Sequence, residues 1–248
     1  NAVVNATGEN VGGLIGYNYS GATVNCADSS GNPIVMCVTV SGNKNVGGVA
    51  GISEDVLSGG QADAAAGASA ETTAGGGMGG KYLQMGSTSN ITASGSVAGG
   101  FFGVYKGTAP LQYLQNAAAV SASDGYAGGI AGQNTEKDGM IQFCNNTGDV
   151  TAVSSGYAAG IVSDNSGKIA HCSNKADVAS AGGSAGGIAA TSNTGASITY
   201  CNSEGTSKNK ITITALNDVG GIVAANSGNI DNSNVSYLKV VNNSKSRE

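Results

Sequence analysis

The chain predicts an all-β fold, a parallel β-helix (β-solenoid) of about seven coils with one long loop insertion in the second coil, on three observations. A glycine-rich beat recurs from one end to the other. The apolar runs between beats are short and β-branched, without the i, i+3, i+4, i+7 stripe of a helix. Asparagine and glycine stand where the runs end, and these residues tolerate the backbone angles of tight corners. Stacked copies of such a unit bury a continuous core that no single copy buries alone.

The fullest beat is Ala127-Gly128-Gly129-Ile130-Ala131-Gly132-Gln133-Asn134, and its copies cover residues 11–16, 46–51, 98–103, 158–163, 185–190 and 219–224. Each beat reads as a strand leading into a corner, with Asn18 before Gly21, Asn165 before Gly167, Asn193 before Gly195 and Asn226 before Gly228. Equivalent asparagines one coil apart are placed to stack as an amide ladder. A second strand then pairs an apolar residue with a small or apolar one three places on. The pairs are Thr23 with Cys26, Leu111 with Leu114, Ile141 with Cys144, Ile169 with Cys172, Ile198 with Cys201 and Ile230 with Ser233, and Leu83 fills the same slot in the interrupted unit. A spacing of three breaks strand alternation, so a bulge or corner is expected between the members.

A third segment closes the coil: Val38-Thr39-Val40, Ile91-Thr92-Ala93, Val120-Ser121-Ala122, Val150-Thr151-Ala152, Val178-Ala179-Ser180 and Ile211-Thr212-Ile213. Three strands per coil follow, and coils ~4.8 Å apart would make seven of them a column roughly 34 Å long. Its end coils call for caps or neighbouring repeats. The whole chain, 1–248, reads as a single solenoid domain, interrupted at the first corner of the second coil by an insertion over residues 52–80. The alanine-rich centre of that insertion reads as a loop or a short helix, and a loop of this length is either structureless or a binding element.

Composition narrows the function classes. Charged residues make up 11% of the chain and glycine 42 of its 248 residues, so the surface is clothed in Asn, Ser, Thr and Gly. The net charge is −5 and the only arginine is Arg247, so there is no basic patch for nucleic acid or for an anionic membrane. No apolar run approaches the ~20 residues of a membrane span, and no signal segment precedes the first beat. The chain reads as a mature fragment or an excised region of a longer extracellular protein. The five cysteines lack CxxC spacing, which argues against zinc or redox chemistry. Cys144, Cys172 and Cys201 are expected to be buried and reduced, serving as small hydrophobes.

The G-G-[LIV]-x-G beat, as in Gly12-Gly13-Leu14-Ile15-Gly16 and Gly128-Gly129-Ile130-Ala131-Gly132, resembles the GLUG motif of repetitive bacterial surface proteins. The resemblance implies a parallel β-helix on a bacterial exterior, in adhesin-like proteins or in non-catalytic regions of some immunoglobulin A proteases. In the later beats Ser163, Ala190 and Ala224 replace the closing glycine, so those corners need not share one geometry.

Candidate chemistry is sparse. Asp149 and Asp177 each stand five residues after a core cysteine and should stack on neighbouring coils. Such a pair suits a retaining glycosidase, whose carboxyls lie about 5 Å apart, or a calcium ion if more oxygens joined. The favoured reading is a pair of solvated corner residues eased by Lys168 and Lys175, since Thr206 takes the slot in the next coil. Tyr17, Tyr19, Tyr105, Tyr126 and Tyr157 flank the beats and are expected either to line a ligand face or to pack at strand ends. His171, beside Cys172, should point outward by alternation, which disfavours a Cys–His nucleophile pair. A partial column of Thr39, Thr92, Thr151 and Thr212 raises ice binding, although Ser121 and Ala179 break it.

The resulting expectation is a non-enzymatic structural or adhesive segment of a bacterial surface or secreted protein, with no cofactor or metal. Its partners would be host or cell-surface glycans or proteins, and neighbouring repeats or domains of a longer chain. The alternative is a carbohydrate-binding module or polysaccharide-degrading enzyme on the same scaffold, with Asp149, Asp177, Tyr126 and Tyr157 as its face.

Overall fold

The computed structural model describes residues 2–20, 22, 24–25, 35–54, 57–58 and 83–244. Its strands stack in parallel register through about six full turns, and no helix occurs among the described residues. A representative coil runs through Ala119–Ala122, Tyr126–Gly128, Ala131–Asn134, Met140–Gln142 and Asn145–Asn146. Repetition of these five strands builds five sheets along the axis, here numbered I to V in that order.

Five strands replace the three expected, for two physical reasons. The beat is split at Gly129-Ile130, where the chain bends and drives Ile130 fully into the core. The second strand is split by a non-glycine residue in the left-handed region: Tyr113 (φ 56°), Phe143 (φ 54°), His171 (φ 52°), Tyr200 (φ 53°) or Asn232 (φ 46°). That residue is the corner called for by the spacing of three. Its backbone carries a steric cost of roughly 1–2 kcal/mol. Four of these residues recover part of it by stacking their rings along the axis, with centroids 5.4 Å apart for Tyr113–Phe143, 4.9 Å for Phe143–His171 and 5.0 Å for His171–Tyr200. His171 is exposed beside buried Cys172, as expected, but it turns outward at the corner and not by strand alternation.

The core is a set of columns. Ile91, Val120, Val150 and Val178 stack in sheet I, Phe101, Ile130, Ile161 and Ile188 at the bend, and Leu111, Ile141, Ile169 and Ile198 in sheet IV. In sheet I, Ile91 pairs with Val40 and Val178 with Ile213, two residues from the alignment with Val38 and Ile211. A shift of two keeps every side chain on its face, so the apolar pattern survives. The outward column then reads Ser41, Thr92, Ser121, Thr151, Ala179 and Thr214, so Thr39 and Thr212 leave the threonine array.

The slot column holds Leu83, Leu114, Cys144, Cys172 and Cys201, all buried. Its first-coil strand is Val35–Met36, which pairs with Gln84 and Met85, and not the stretch from Thr23 to Cys26. Thr23 and Cys26 themselves lie outside the described residues. Cys37, Cys144, Cys172 and Cys201 are free thiols, of which Cys37 alone is exposed. Burial pushes the Cys172 thiol well above its ordinary value, and the hydrogen bond with Cys172 followed by burial does the same for Cys201. Stability drawn from these neutral thiols is whole below the ordinary thiol value of 9.0 and falls as the pH rises beyond it. Among these four cysteines, a thiol reagent added to the native chain at pH 8 is expected to modify Cys37 alone and to reach the others only after unfolding. Labelling of Cys172 in the native chain, read by peptide mass, would contradict this packing.

Two amide ladders run through the interior. The corner asparagines contribute to one in sheet III, which Tyr105 interrupts: Asn18 Nδ2 donates to Ser53 Oγ at 3.1 Å and Asn134 Nδ2 to Asn165 Oδ1 at 3.0 Å. Ser192, not Asn193, continues that column after Asn165, and Asn226 follows. The second ladder, in sheet V, has no counterpart in the sequence reading. Asn116 Nδ2 donates to Asn146 Oδ1 and Asn146 Nδ2 to Asn174 Oδ1, both at 2.8 Å. Each of these three side chains also bonds both the carbonyl and the amide two residues on, closing its own turn.

The anchor glycine of the beat faces this second ladder across the core. A Cβ on Gly100 would lie 2.8 Å from Asn116 Cγ, and one on Gly129 2.5 Å from Asn146 Cγ. The closing positions Gly132, Ser163, Ala190 and Ala224 are interior to strands of sheet III that share one register, so they are not corners. That is why three residue types serve there. Of the insertion placed at 52–80, Ile52 and Ser53 belong to the sheet III strand Ala50–Ser53. Leu57–Ser58 forms a separate two-stranded ladder with Val24–Asn25. Glu54 follows the Ala50–Ser53 strand, and the remainder, with its expected short helix, lies outside the described residues.

Candidate functional site

Because the beat bends at Gly129-Ile130, the outer faces of sheets II and III turn toward each other and enclose a groove on the outside of the coil. Ile52, Val97 and Val104 form a small buried cluster there, separate from the main core, with Tyr17 and Tyr126 packed on it. Sheet II contributes the column Val97, Tyr126 and Tyr157, and sheet III the column Tyr17, Ile52, Val104, Gln133, Asp164 and Thr191. The groove therefore grades from apolar in the early coils to polar in the later ones.

Tyr126 and Tyr157 stack with ring centroids 5.5 Å apart and planes 18° from parallel. Both are half-buried. Burial, and then the charge of Asp164, holds the Tyr126 phenol above its ordinary value, so it stays neutral and able to donate a hydrogen bond. Asp164 accepts from Gln133 Nε2 at 3.1 Å, from Thr191 Oγ1 at 2.9 Å and from Asn193 Nδ2 at 2.9 Å. Asn193 Nδ2 reaches Ser166 Oγ at 3.1 Å as well. Neutral donors thus surround the ionised carboxylate, which organises a polar wall suited to hydroxyl-bearing ligands.

At the other end, the Tyr17 hydroxyl donates to Glu54, and the Ser20 amide donates to Glu54 Oε2 at 3.3 Å. The bond from Tyr17 leads the causes that hold the Glu54 carboxyl below its ordinary value, and the same bond holds the Tyr17 phenol up. Tyr19 stacks on Tyr17 at 4.4 Å, and the Lys106 ammonium sits 6.0 Å from the Tyr17 ring centroid. Tyr105 does not line any face: it is fully buried and its hydroxyl donates to the Ala109 carbonyl.

Asp149 and Asp177 lie on another corner, just ahead of the sheet I strands Val150–Ala152 and Val178–Ser180, and both are exposed. Asp149 Oδ1 accepts the Asp177 amide at 3.3 Å, and Asp177 Oδ1 accepts the Thr212 amide at 2.6 Å. Each carboxylate therefore caps the backbone of the following coil. Thr212, not Thr206, takes the next slot, because residues after Cys201 lengthen that coil. The lysines expected to ease the pair are engaged elsewhere, Lys168 with Asp138 and Lys175 with Glu204, both at 3.2 Å. The four residues singled out in the sequence thus separate into two pairs, Tyr126 with Tyr157 in the groove and Asp149 with Asp177 outside it. No group of three His, Cys, Asp or Glu side chains suited to a metal ion occurs among the described residues.

Gln133, Asp164 and Thr191 were missed by sequence reasoning, although each stands directly before a corner position, Asn134, Asn165 or Ser192. The ring column of Tyr113, Phe143, His171 and Tyr200 had a clearer signal, an aromatic residue directly before each core slot.

No protein-family model matches the chain. No curated protein matches it. It is similar to a crystal structure described as a putative immunoglobulin A1 protease from Bacteroides ovatus, at 23% identity and a TM-score of 0.42, over 83% of this chain and 71% of that chain.

Proposed function

We propose that this chain is a non-enzymatic structural and adhesive solenoid segment of a bacterial surface or secreted protein, with a beat of the GLUG kind. The observation that carries the reading is the use made of its carboxylates. Asp149 and Asp177 cap backbone amides of the next coil, and Asp164 is ringed by three neutral donors. A general acid or base needs a proton path to substrate, and these groups are turned to holding one coil on another. The low charge and the Asn, Ser and Thr coat accord with an extracellular setting, where glycans or proteins on a host or neighbouring cell would be the partners.

The outer groove favours a second reading, a carbohydrate-binding module, because it sets the Tyr126–Tyr157 stack beside a column of hydroxyl and amide groups. Both readings are tested by presenting mucin and plant glycans to the purified chain and following reducing-end release together with binding. The expected result is no release, with binding weakened roughly tenfold by Tyr126→Ala, in line with the about 1.4 kcal/mol that a buried aromatic contact supplies. Reducing-end release abolished by Asp149→Asn would overturn the non-enzymatic reading.

A further inference from the structure

A second feature lies on the outer face of sheet V, away from the groove between sheets II and III. Between the outward columns a hollow of about 190 Å³ opens, bounded by Gln84, Met85, Gln115, Asn145, Thr147 and Lys175. The small side chain of Ala117 leaves the space open. This volume is below the roughly 300 Å³ at which drug-sized pockets begin, so it suits one small polar ring.

Its side chains differ from the amides buried between coils. Asn116, Asn146, Asn174, Asn134, Asn165 and Gln133 are all engaged in bonds that fasten coils together. The Gln84 and Gln115 amides, which are half-buried at the rim, make no hydrogen bond among the described residues. Asn145 has its carbonyl oxygen engaged by Ser173 Oγ at 2.7 Å, and no bond to its amide nitrogen occurs among the described residues. Lys175 gives one bond direction to Glu204 at 3.2 Å, and an ammonium has three donors. The hollow thus gathers unused neutral donors and acceptors around a single cation.

We propose that this hollow binds one acidic monosaccharide of the uronate class. Primary amides both donate and accept, which matches hydroxyl groups that do the same. The Lys175 ammonium matches one carboxylate by a charge-assisted bond. A polyanion is disfavoured, since one lysine lines the hollow and the chain carries a net charge of −5. The inference rests on the adhesive reading for its class of ligand and locates it at a site separate from the outer groove.

The test is a calorimetric or ligand-observed NMR titration of the intact chain with glucuronic acid, against glucose and acetate. Glucuronate is expected to bind more tightly than either comparator, by about tenfold over glucose, the scale of a charge-assisted hydrogen bond. Lys175→Gln should bring glucuronate down to the level of glucose, Gln115→Ala should weaken both sugars, and Glu204→Gln should tighten glucuronate alone. Lys175 is exposed and Glu204 partly so, and an unchanged melting temperature confirms that the variants fold. Equal binding of glucuronate and glucose, no binding of glucuronate, or an unaltered Lys175→Gln variant would overturn the site. Tyr126→Ala separates the two proposals: glycan binding lost with glucuronate titration intact supports a distinct site, and loss of the glucuronate titration overturns it. Glycan release by the chain would remove the non-enzymatic reading and leave the glucuronate result standing.

Discussion

Replacing Asn146 with alanine is expected to lower the unfolding free energy by about 2–6 kcal/mol, because it strands buried backbone groups that have no other partner. Asn146 Oδ1 accepts from the Asn116 amide and from the Gly148 N–H, and its Nδ2 donates to the Gly148 carbonyl and to Asn174 Oδ1. After truncation Asn116 still donates to the Ala118 carbonyl and Asn174 still accepts from the Ala176 amide. The two polar groups of buried Gly148 lose their bonds to this side chain, and each such group left unsatisfied costs about 1–3 kcal/mol. A domain is stable by about 5–15 kcal/mol in all, so the loss is large on that scale. Asn146→Leu separates the causes, since it restores volume without the bonds. Urea denaturation of the two variants decides: equal losses support the hydrogen-bond account, and a leucine variant as stable as the parent would sink it.

Gly129→Ala is expected to destabilise by about 2–3 kcal/mol, against the usual sign of the exchange. Where the backbone angles suit both, alanine is ordinarily better than glycine by roughly 0.4–1 kcal/mol through reduced chain entropy. At Gly129 the added Cβ would meet Asn146 Cγ at 2.5 Å and would also crowd the Gly160 carbonyl. Neither neighbour can yield easily, because one is locked in the amide ladder and the other is backbone. Gly8→Ala supplies the control, since a Cβ there meets no atom within 4 Å and its effect should stay within about 0.5 kcal/mol. Thermal melts of the two variants give the answer, and a stabilised Gly129→Ala protein would show that the glycine is not a packing requirement.

These two residues also mark how far the sequence could be read. The beat was legible because glycine pairs at regular intervals are rare without a structural cause, and Ile130, Ile161 and Ile188 duly stack at the bend. The reason for its second glycine was not legible, since it lies in the facing residue Asn146, 17 positions on. Asn116, Asn146 and Asn174 look like turn formers, and an asparagine outside the chain does not differ in sequence from one inside. The corners at Tyr113, Phe143 and His171 were legible from the spacing of three, but the residue that turns was not: aromatic residues give no turn signal, and their left-handed angles are supported by ring neighbours in adjacent coils.

Asp149 and Asp177, read as stacked corner residues, and His171 are all exposed. What the two carboxylates bond to depends on register between coils of unequal length, and the lengthened stretch before Ile211 is what moved Thr212 into the slot expected for Thr206. The outer groove lay further out of reach. Tyr126 and Tyr157 were visible as residues beside a beat, but their facing column of Gln133, Asp164 and Thr191 follows only from the direction in which the chain bends at Gly129.

The bonds between coils have a mechanical consequence. Backbone pairing and both amide ladders run along the axis, from Asn116 to Asn146 to Asn174 and from Asn134 to Asn165, while the coils these bonds join are loops of 28 to 31 residues. Tension applied between the two ends peels one coil from the column at a time and does not load the whole stack at once. At about 3.3–3.6 Å of contour per residue, every detached coil pays out on the order of 100 Å of slack in exchange for the ~4.8 Å it occupied along the axis. The column is therefore a serial extension spring, short at rest and able to give length in discrete lots before the chain is drawn taut.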